Sequence, residues 1–230
     1  MSLIPKAKNK VNRKYVSPAA IRVVERLRAA DYEGYIVGGA VRDLILGNKP
    51  KDFDVATNAT PEEVKGLFRS ARIIGRRFQI VHVRDGREII EVTTYRGPHL
   101  SEDSIKSASK QSDKGLLLRD NVYGTLAEDA ARRDLTINAM YYNPIDGTVL
   151  DQMDGQKDIN ARLVRVLGDP QTRYREDPVR MLRVVRFAAK LQFDIESETE
   201  AAIGVCGPLL AEIPPARLFD EFLKLFMAGH

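Results

Sequence analysis

The first 150 residues alternate between short apolar runs and amphipathic segments, a pattern typical of a domain that mixes strands and helices. Apolar residues at helical spacing after Ser17-Pro18 predict a helix that ends near residue 31. The run at 35–37 predicts a buried strand that leads directly into two glycines. The same reasoning then predicts a helix over 40–46, a strand over 53–57 and a helix from 60 to about 70.

The next segments predict a β-hairpin followed by a change to helices. Two β-branched runs, at 78–83 and 87–95, flank Asp85-Gly86, a dipeptide that favours a tight hairpin turn. Residues 97–115 interrupt the pattern with serine, lysine and acidic residues and predict a loop. Beyond residue 125 helices dominate, and strand patterns fade after residue 150.

Two helices are predicted most clearly in the second half. The first covers 176–191, with an apolar stripe formed by Leu182, Val185 and Ala189. The second begins at Pro214-Pro215, and its apolar face contains Leu218, Phe222, Leu225 and Phe226. Because that face has no obvious partner before residue 230, we expect the chain to be cut short at its C-terminus. The elements together predict an α/β (α+β) fold: a basic arm over 1–20, a mixed-sheet head over 21–150 and an all-helical neck over 151–230.

Positive charge is concentrated at the N-terminus. The 230 residues carry a net charge of +4, yet residues 1–14 contain five cationic side chains and no acidic one. Such an arm is most simply a solvated tail and, less often, a nucleic-acid contact. The single cysteine, Cys206, excludes a disulfide framework, and the sequence has no run of 18 apolar residues that could cross a membrane. We therefore expect a soluble, cytoplasmic protein without a membrane partner.

Two glycines and two aspartates form the strongest local chemical pattern. Gly38-Gly39 separates a predicted strand from a predicted helix, where glycine allows the backbone to approach an anion. Asp52 and Asp54 alternate with Phe53, so on a strand both carboxylates face one side. Two such carboxylates repel each other unless a cation lies between them, and hard oxygen ligands favour Mg²⁺ with substrate phosphates. The pattern predicts a nucleoside triphosphate beside two metal ions; the alternative is a tight turn followed by a solvated strand end.

A dinucleotide-binding site is not favoured by the same residues. The two glycines follow a strand, as they do in such sites. However, the sequence lacks G-x-G-x-x-G and an acidic residue at the end of a regular second strand. We therefore assign the glycines to a triphosphate.

Five motifs follow one another in a fixed order along nearly the whole chain. They are Gly38-Gly39 with Arg42-Asp43, the segments at 51–54, 91–96 and 132–139, and the segment at 176–180. As a set they resemble the class II nucleotidyltransferases, the family that contains tRNA CCA-adding enzymes and bacterial poly(A) polymerases. The segment at 73–83 and the long loop at 97–118 are similar to the poly(A) polymerase branch of that family.

The resemblance implies a polymerase-beta-like nucleotidyltransferase head, a helical neck and adenylyltransferase activity with two Mg²⁺ ions. Asp52 and Asp54 would bind the metal ions, and AMP would pass from ATP to the 3′-hydroxyl of mRNA or another single-stranded RNA, releasing pyrophosphate. Gly38, Gly39 and Arg42 would hold the triphosphate. The alternatives are a CCA-adding enzyme that acts on tRNA and an inactive nucleotide- or RNA-binding module.

A third catalytic carboxylate is expected, and two residues are candidates. The resemblance implies Asp134, with Arg132 and Arg133 as contacts for ribose or phosphate; the two arginines could equally be helix-end charges. Glu91 belongs to a strand predicted beside that of the aspartate pair, so it is the other candidate, as a metal ligand or as support for one.

Four charged residues at helical spacing would share one face of the helix predicted over 176–191. They are Glu176, Asp177, Arg180 and Arg183. The resemblance implies that this face selects the incoming nucleotide with side chains instead of a template, since an Asp–Arg pair offers acceptors and donors to a base edge. The alternative is an ion-pair ladder on a solvated face.

Overall fold

The structure, a computed structural model, describes residues 2–75, 79–97 and 122–227. It divides into a first unit, residues 1–132 with 141–150, and a second unit, residues 133–140 with 151–230. The predicted boundaries at residues 20 and 150 remain predictions. The beginning of the strand predicted from residue 78 and nearly all of the loop predicted over 97–115 lie outside the described residues, as do residues 76–78 and 98–118 of the two branch-marking segments.

The first unit is built on an eight-stranded mixed sheet, so the predicted mixed-sheet fold is confirmed. The strand order is β1-β8-β7-β2-β3-β6-β5-β4. The strands are β1 Ser2–Ile4, β2 Tyr35–Val37, β3 Asp54–Thr57, β4 Ala71–Ile74, β5 Ile80–Asp85, β6 Glu88–Thr94, β7 Met140–Tyr142 and β8 Val149–Asp151. β3 runs parallel to β6, while β2 is antiparallel to both β3 and β7. The hairpin predicted around Asp85-Gly86 is confirmed as β5 and β6, with Gly86 at a positive φ of 62°.

Among its described residues the first unit contains four α-helices, three of which begin at a capping side chain. They are α1 Pro18–Arg28, α2 Gly39–Ile45, α3 Pro61–Leu67 and α4 Leu126–Ala131. The Ser17 hydroxyl accepts from the first backbone N–H groups of α1, and Thr60 and Thr125 form capping boxes with glutamates three residues later. α1 packs against β3 and β6, and α3 packs against β4, β5 and β6. The helices leave exposed the sheet face that carries Ile89 and Glu91, while Ile90 and Val92 are buried.

The N-terminal arm is part of the sheet and not a solvated tail. β1 pairs with β8 at the edge of the sheet. The Asn9 amide is buried and donates to the carbonyl of Gly147 at 2.7 Å, while its oxygen accepts from the backbone N–H of Val11. Arg13 donates to the carbonyl of Pro144 at 2.8 Å. The hydrogen bonds from the arm to the buried carbonyls of Gly147 and Pro144 hold the arm in place.

The second unit is mainly helical, as predicted, but it also contains a short parallel pair of strands, β9 Leu163–Val164 and β10 Asp194–Ile195. Its helices are α5 Gly155–Ala161, α6 Pro170–Glu176, α7 Val179–Leu191, α8 Ser197–Cys206 and α9 Pro215–Phe226. None of the helices in the described part of the chain has the length and apolar character needed to cross a membrane.

The single helix predicted over 176–191 is wrong in two respects. It is interrupted at Asp177-Pro178, since proline has no N–H to continue a helical ladder and restricts the residue before it. Its buried face is also different, because Met181, Val184 and Phe187 are buried whereas Val185 is 40% exposed. Glu176 and Asp177 therefore precede α7 instead of sharing its face with Arg180 and Arg183.

Candidate active site

The two-glycine segment forms the turn between β2 and α2 in the first unit. Gly38 has φ 71° and ψ −137°, a backbone conformation that residues with a Cβ rarely adopt. Gly39 is less constrained, because a Cβ there would lie 3.4 Å from Arg42 Nη2, an ordinary contact. The conformational requirement for glycine therefore falls on Gly38, and the predicted strand–turn–helix arrangement is confirmed.

Arg42 lies one turn into α2 with its guanidinium buried. Its side chain is 3% exposed, and Nε and Nη2 donate to Asp43 Oδ1 at 2.9 and 2.7 Å. Asp43 balances the charge of a guanidinium that would be costly to bury alone. The local geometry is thus an ion pair of sequence neighbours, and a contact from Arg42 to a triphosphate stays a prediction.

The aspartate pair lies at the beginning of β3. Asp54 is the first residue of the strand and is half-buried, Asp52 is exposed two residues earlier, and Phe53 between them is buried. Phe53 therefore lies in the core, whereas the two aspartates are partly or fully accessible to solvent. Two aspartates at this spacing supply hard oxygen donors at one end of a strand.

Three further strands continue the row that begins with Asp54. Glu91 of β6 is the register partner of Asp54, His82 of β5 is the partner of Glu91, and Arg72 of β4 is the partner of His82. Glu91 Oε1 lies 3.3 Å from His82 Nε2. Of the two candidates for a third carboxylate, Glu91 is therefore the one that lies beside Asp54 in the sheet of the first unit.

The carboxylate oxygens of Asp52 and Asp54 suit Mg²⁺ better than a metal ion that is held by protein ligands alone. Within residues 2–75, 79–97 and 122–227, no group of three or more histidine, cysteine, aspartate or glutamate side chains is arranged to hold a metal ion. Mg²⁺ is commonly held by one or two carboxylates, with the remaining positions filled by water and substrate phosphates. Asp52 and Asp54 fit that requirement, and the number of ions stays a prediction.

Asp134 is in the second unit, where Arg183 of α7 binds it. Its Oδ2 accepts from Arg183 Nε at 2.8 Å and from Nη2 at 2.5 Å, and its Oδ1 accepts from the backbone N–H of Leu135 at 2.9 Å. Burial alone would raise the pKa of Asp134, but the Arg183 charge and these hydrogen bonds hold the pKa below its ordinary value. Both oxygens thus accept hydrogen bonds within the second unit, and the catalytic role of Asp134 stays a prediction.

The two arginines before Asp134 end a helix and begin the second unit. Arg132 is the C-cap residue of α4. Arg133 Nη1 donates to the carbonyl of Asn138 at 3.4 Å, and the Arg133 carbonyl accepts from Arg173 Nη2 at 2.7 Å. Arg132 therefore lies at a helix end, as one of the two interpretations expected. Contacts of either arginine with ribose or phosphate stay predictions.

The charged residues at the junction of α6 and α7 include the Glu176–Arg180 pair expected of an ion-pair ladder and two pairs that were not predicted. Glu176 Oε2 accepts from Arg173 Nη1 at 2.9 Å and from Arg180 Nη1 at 3.0 Å. Asp177 Oδ2 accepts from Arg217 Nη2 of α9 at 2.7 Å. Arg173 and Arg217 were not identified from the sequence. The spacing of Arg173 three residues before Glu176 was an available signal, but Arg217 lies 40 residues from Asp177 and no local pattern indicates it.

A mixed sheet that presents an aspartate pair at the beginning of a strand, next to a strand–glycine–helix turn, is the head of a polymerase-beta-like nucleotidyltransferase. A solved CCA-adding enzyme from Bacillus stearothermophilus, in complex with CTP, has this fold: it superposes with a TM-score of 0.77 at 35% identity, covering 91% of this chain and 49% of that one. Residues 34–165, more than half of the chain, match the family described as the poly A polymerase head domain, and the chain belongs to that family. Residues 192–230 match a second family, described as a probable RNA and SrmB-binding site of polymerase A.

Two curated relatives are similar over nearly the whole chain. Poly(A) polymerase I of Salmonella typhimurium is 54% identical over 230 residues, which are 100% of this chain and 50% of that protein. The CCA-adding enzyme of Lactobacillus gasseri is 39% identical over 213 residues, 93% of this chain and 51% of that protein. The chain thus spans about half the length of the curated relatives it matches.

Proposed function

We propose that this chain transfers AMP from ATP to the 3′-hydroxyl of an RNA, without a template and with release of pyrophosphate. The observation that carries the proposal is the placement of Asp52 and Asp54 at the beginning of β3, beside the Gly38 turn, in a chain of the poly A polymerase head-domain family. The higher identity to a poly(A) polymerase than to a CCA-adding enzyme favours polyadenylation over CCA addition. RNA 3′ ends, including those of mRNA, are the proposed acceptors.

The aspartate pair would hold the reacting groups in line. Asp52 and Asp54 would hold the two proposed Mg²⁺ ions together with the phosphates of ATP. When bound, Mg²⁺ neutralises the triphosphate and lowers the pKa of the RNA 3′-hydroxyl. The hydroxyl oxygen would then lose its proton to solvent and form a bond to the α-phosphorus as the bond between the α-phosphorus and the pyrophosphate oxygen breaks. The turn at Gly38 and Gly39 would bring backbone N–H groups to the triphosphate. Glu91, the register partner of Asp54, would act as a further metal ligand or support one.

The residues around the junction of α6 and α7 would select the nucleotide. Arg180 provides donors in a fixed fork, and its contact with Glu176 limits the directions in which that fork can point. Asp177 is oriented by Arg217. Arg183, which belongs to the selecting set, and Asp134 hold each other in place. Asp134 would contact the ribose as the third carboxylate, and Arg132 and Arg133 would contact the ribose or the phosphates.

The decisive experiment offers the protein each of the four nucleotides separately with Mg²⁺, on an oligo(A) primer and on a tRNA that lacks its 3′ CCA. We expect a ladder of additions on oligo(A) with ATP alone. Addition of one to three nucleotides to the tRNA with CTP would contradict polyadenylation and assign CCA addition. Nucleotide binding without transfer to either primer would contradict an enzymatic function for this chain.

Replacing Arg180 with alanine is expected to weaken nucleotide selection more than transfer itself. The variant loses the donors proposed to face the base, so the ratio of kcat/KM for ATP to that for CTP should fall by about tenfold or more. Arg175→Ala is the matched control, because Arg175 is an exposed arginine of α6 that contacts Gln171. An unchanged ratio in Arg180→Ala, with an unchanged melting temperature, would remove Arg180 from the selecting set.

A further inference from the structure

The N-terminal arm (residues 2–14) combines a fixed position with an unbalanced charge. It carries Lys6, Lys8, Lys10, Arg13 and Lys14, and the first acidic residue of the chain is Glu25. All five cationic side chains are exposed. Lys6, Lys10 and Lys14 pair with no carboxylate among the residues that the structure describes.

The arm is held by contacts that do not use these three lysine charges. The Asn9 side chain, 1% exposed, joins the arm to Gly147 in the turn between β7 and β8. The methylene groups of Lys6 lie over Gly147, where an added Cβ would come within 3.0 Å of Lys6 Cδ. The acidic residue of that turn, Asp146, accepts hydrogen bonds from Asn143 and Thr148. These contacts fix the backbone of the arm, while the ammonium groups of Lys6, Lys10 and Lys14 are exposed to solvent. Fixing the backbone costs conformational entropy that a solvated tail would keep.

The arm lies on the same sheet as the aspartate pair but at a distance from it. β1 is separated from β3 by four strand spacings, through β8, β7 and β2, which corresponds to about 19 Å. A stacked single strand advances about 3.4 Å per nucleotide. An RNA strand that ends at Asp54 would need about six nucleotides to reach β1, which ends two residues before Lys6. The later part of the arm lies elsewhere, since the backbone N–H of Asn12 donates to the carbonyl of Leu44 in α2.

We propose that the arm binds the phosphate backbone of the acceptor RNA upstream of its 3′ end. The inference rests on the proposed function for the direction of the RNA, and it goes beyond that function by adding a contact at the sheet edge. Cations on an ordered backbone bind phosphates without reading the bases, so the contact suits an acceptor of any sequence. It also lies outside residues 192–230, which match the family described as an RNA-binding site.

The test measures binding of 5′-labelled oligo(A) of 20 nucleotides by fluorescence anisotropy, as a function of salt, without ATP. The variant Lys6→Gln/Lys10→Gln/Lys14→Gln removes three arm charges and leaves Asn9 and Arg13 in place. The control Lys65→Gln/Arg87→Gln/Lys157→Gln removes three exposed charges elsewhere. With about 0.7 counterions released per contacted phosphate, the salt slope of the arm variant should be smaller by about 2, and its affinity should be lower by about 100-fold at 0.1 M salt. The control should match the wild type.

Equal slopes for the arm variant and the control would overturn the proposal, as would the absence of RNA binding by the wild type. A smaller slope for the arm variant in a protein that transfers no AMP would support the arm contact and contradict the proposed function, so the two failures are distinguishable. Primer length gives a second readout. The arm variant should raise KM for a 20-nucleotide primer and leave KM for a four-nucleotide primer unchanged; equal increases would overturn the upstream position.

Discussion

Replacing either Asp52 or Asp54 with asparagine is expected to lower AMP transfer by on the order of 10³-fold or more, equivalent to about 4 kcal/mol of transition-state stabilisation. Asparagine keeps the size of the side chain and removes the charge that would hold Mg²⁺ and the triphosphate. Asp54 is half-buried at the beginning of β3, and Asp52 is exposed two residues earlier. Transfer at the wild-type rate by either variant would contradict the metal assignment.

The same substitutions have a second expected result that does not depend on activity. Asp52 is exposed, so Asp52→Asn without Mg²⁺ should melt near the wild-type temperature. Calorimetry should show that Mg²⁺ no longer strengthens ATP binding. Asp31→Asn is the matched control, because Asp31 is exposed in the first unit with a φ of 63°, which asparagine tolerates.

Replacing Asp134 with alanine is expected to destabilise the second unit by about 2 kcal/mol, measured by denaturant unfolding. The substitution leaves Arg183 without the carboxylate that accepts two of its N–H groups, and the Arg183 side chain is 33% exposed, so water offsets part of the loss. The double variant Asp134→Ala/Arg183→Met should recover part of the stability, because no unpaired charge remains. Wild-type stability combined with complete loss of transfer would instead identify Asp134 as a catalytic carboxylate with no structural role.

The contribution of this ion pair should also depend on pH. The pKa of Asp134 is lowered from its ordinary value of 3.8, so the folded state binds that proton less readily than the unfolded state does. The pair therefore contributes its full stability above about pH 4 and loses it as the pH falls through the lower pKa of the folded state. The difference between wild type and Asp134→Ala should shrink in unfolding experiments at progressively lower pH.

Local signals in the sequence predicted the head well, since its elements carry their own boundaries. Ser17 and Thr60 cap the helices that follow them, and Asp85-Gly86 forms the hairpin turn. β1, β7 and β4 were not predicted, because each has only three or four residues; the last of these, Ala71–Ile74, forms an edge of the sheet. Its hydrogen bonds to β5 define it, and those depend on residues later in the chain.

The pairings around the candidate site could not be predicted, because they join residues that are distant in sequence. Asp134 and Arg183 are 49 residues apart, and Asp177 and Arg217 are 40 apart. Helical spacing indicated that Glu176 and Arg180 would meet, and they do so although Pro178 interrupts the helix. The motifs thus indicated which charged residues belong to the candidate site. Which of the residues distant in sequence form ion pairs with each other depended on packing and could not be predicted.

The strand β1 also determines which strand forms one edge of the sheet, and with three residues it is a short edge strand. With β1 in place, β8 has neighbours on both sides in the sheet. Deleting residues 1–9 would turn β8 into an outer strand with unpaired N–H and C=O groups and would remove the partner of the Gly147 carbonyl. An uncovered strand of this kind is a template for edge-to-edge association. Affinity tags and truncations at this end would therefore govern whether the purified protein stays monodisperse.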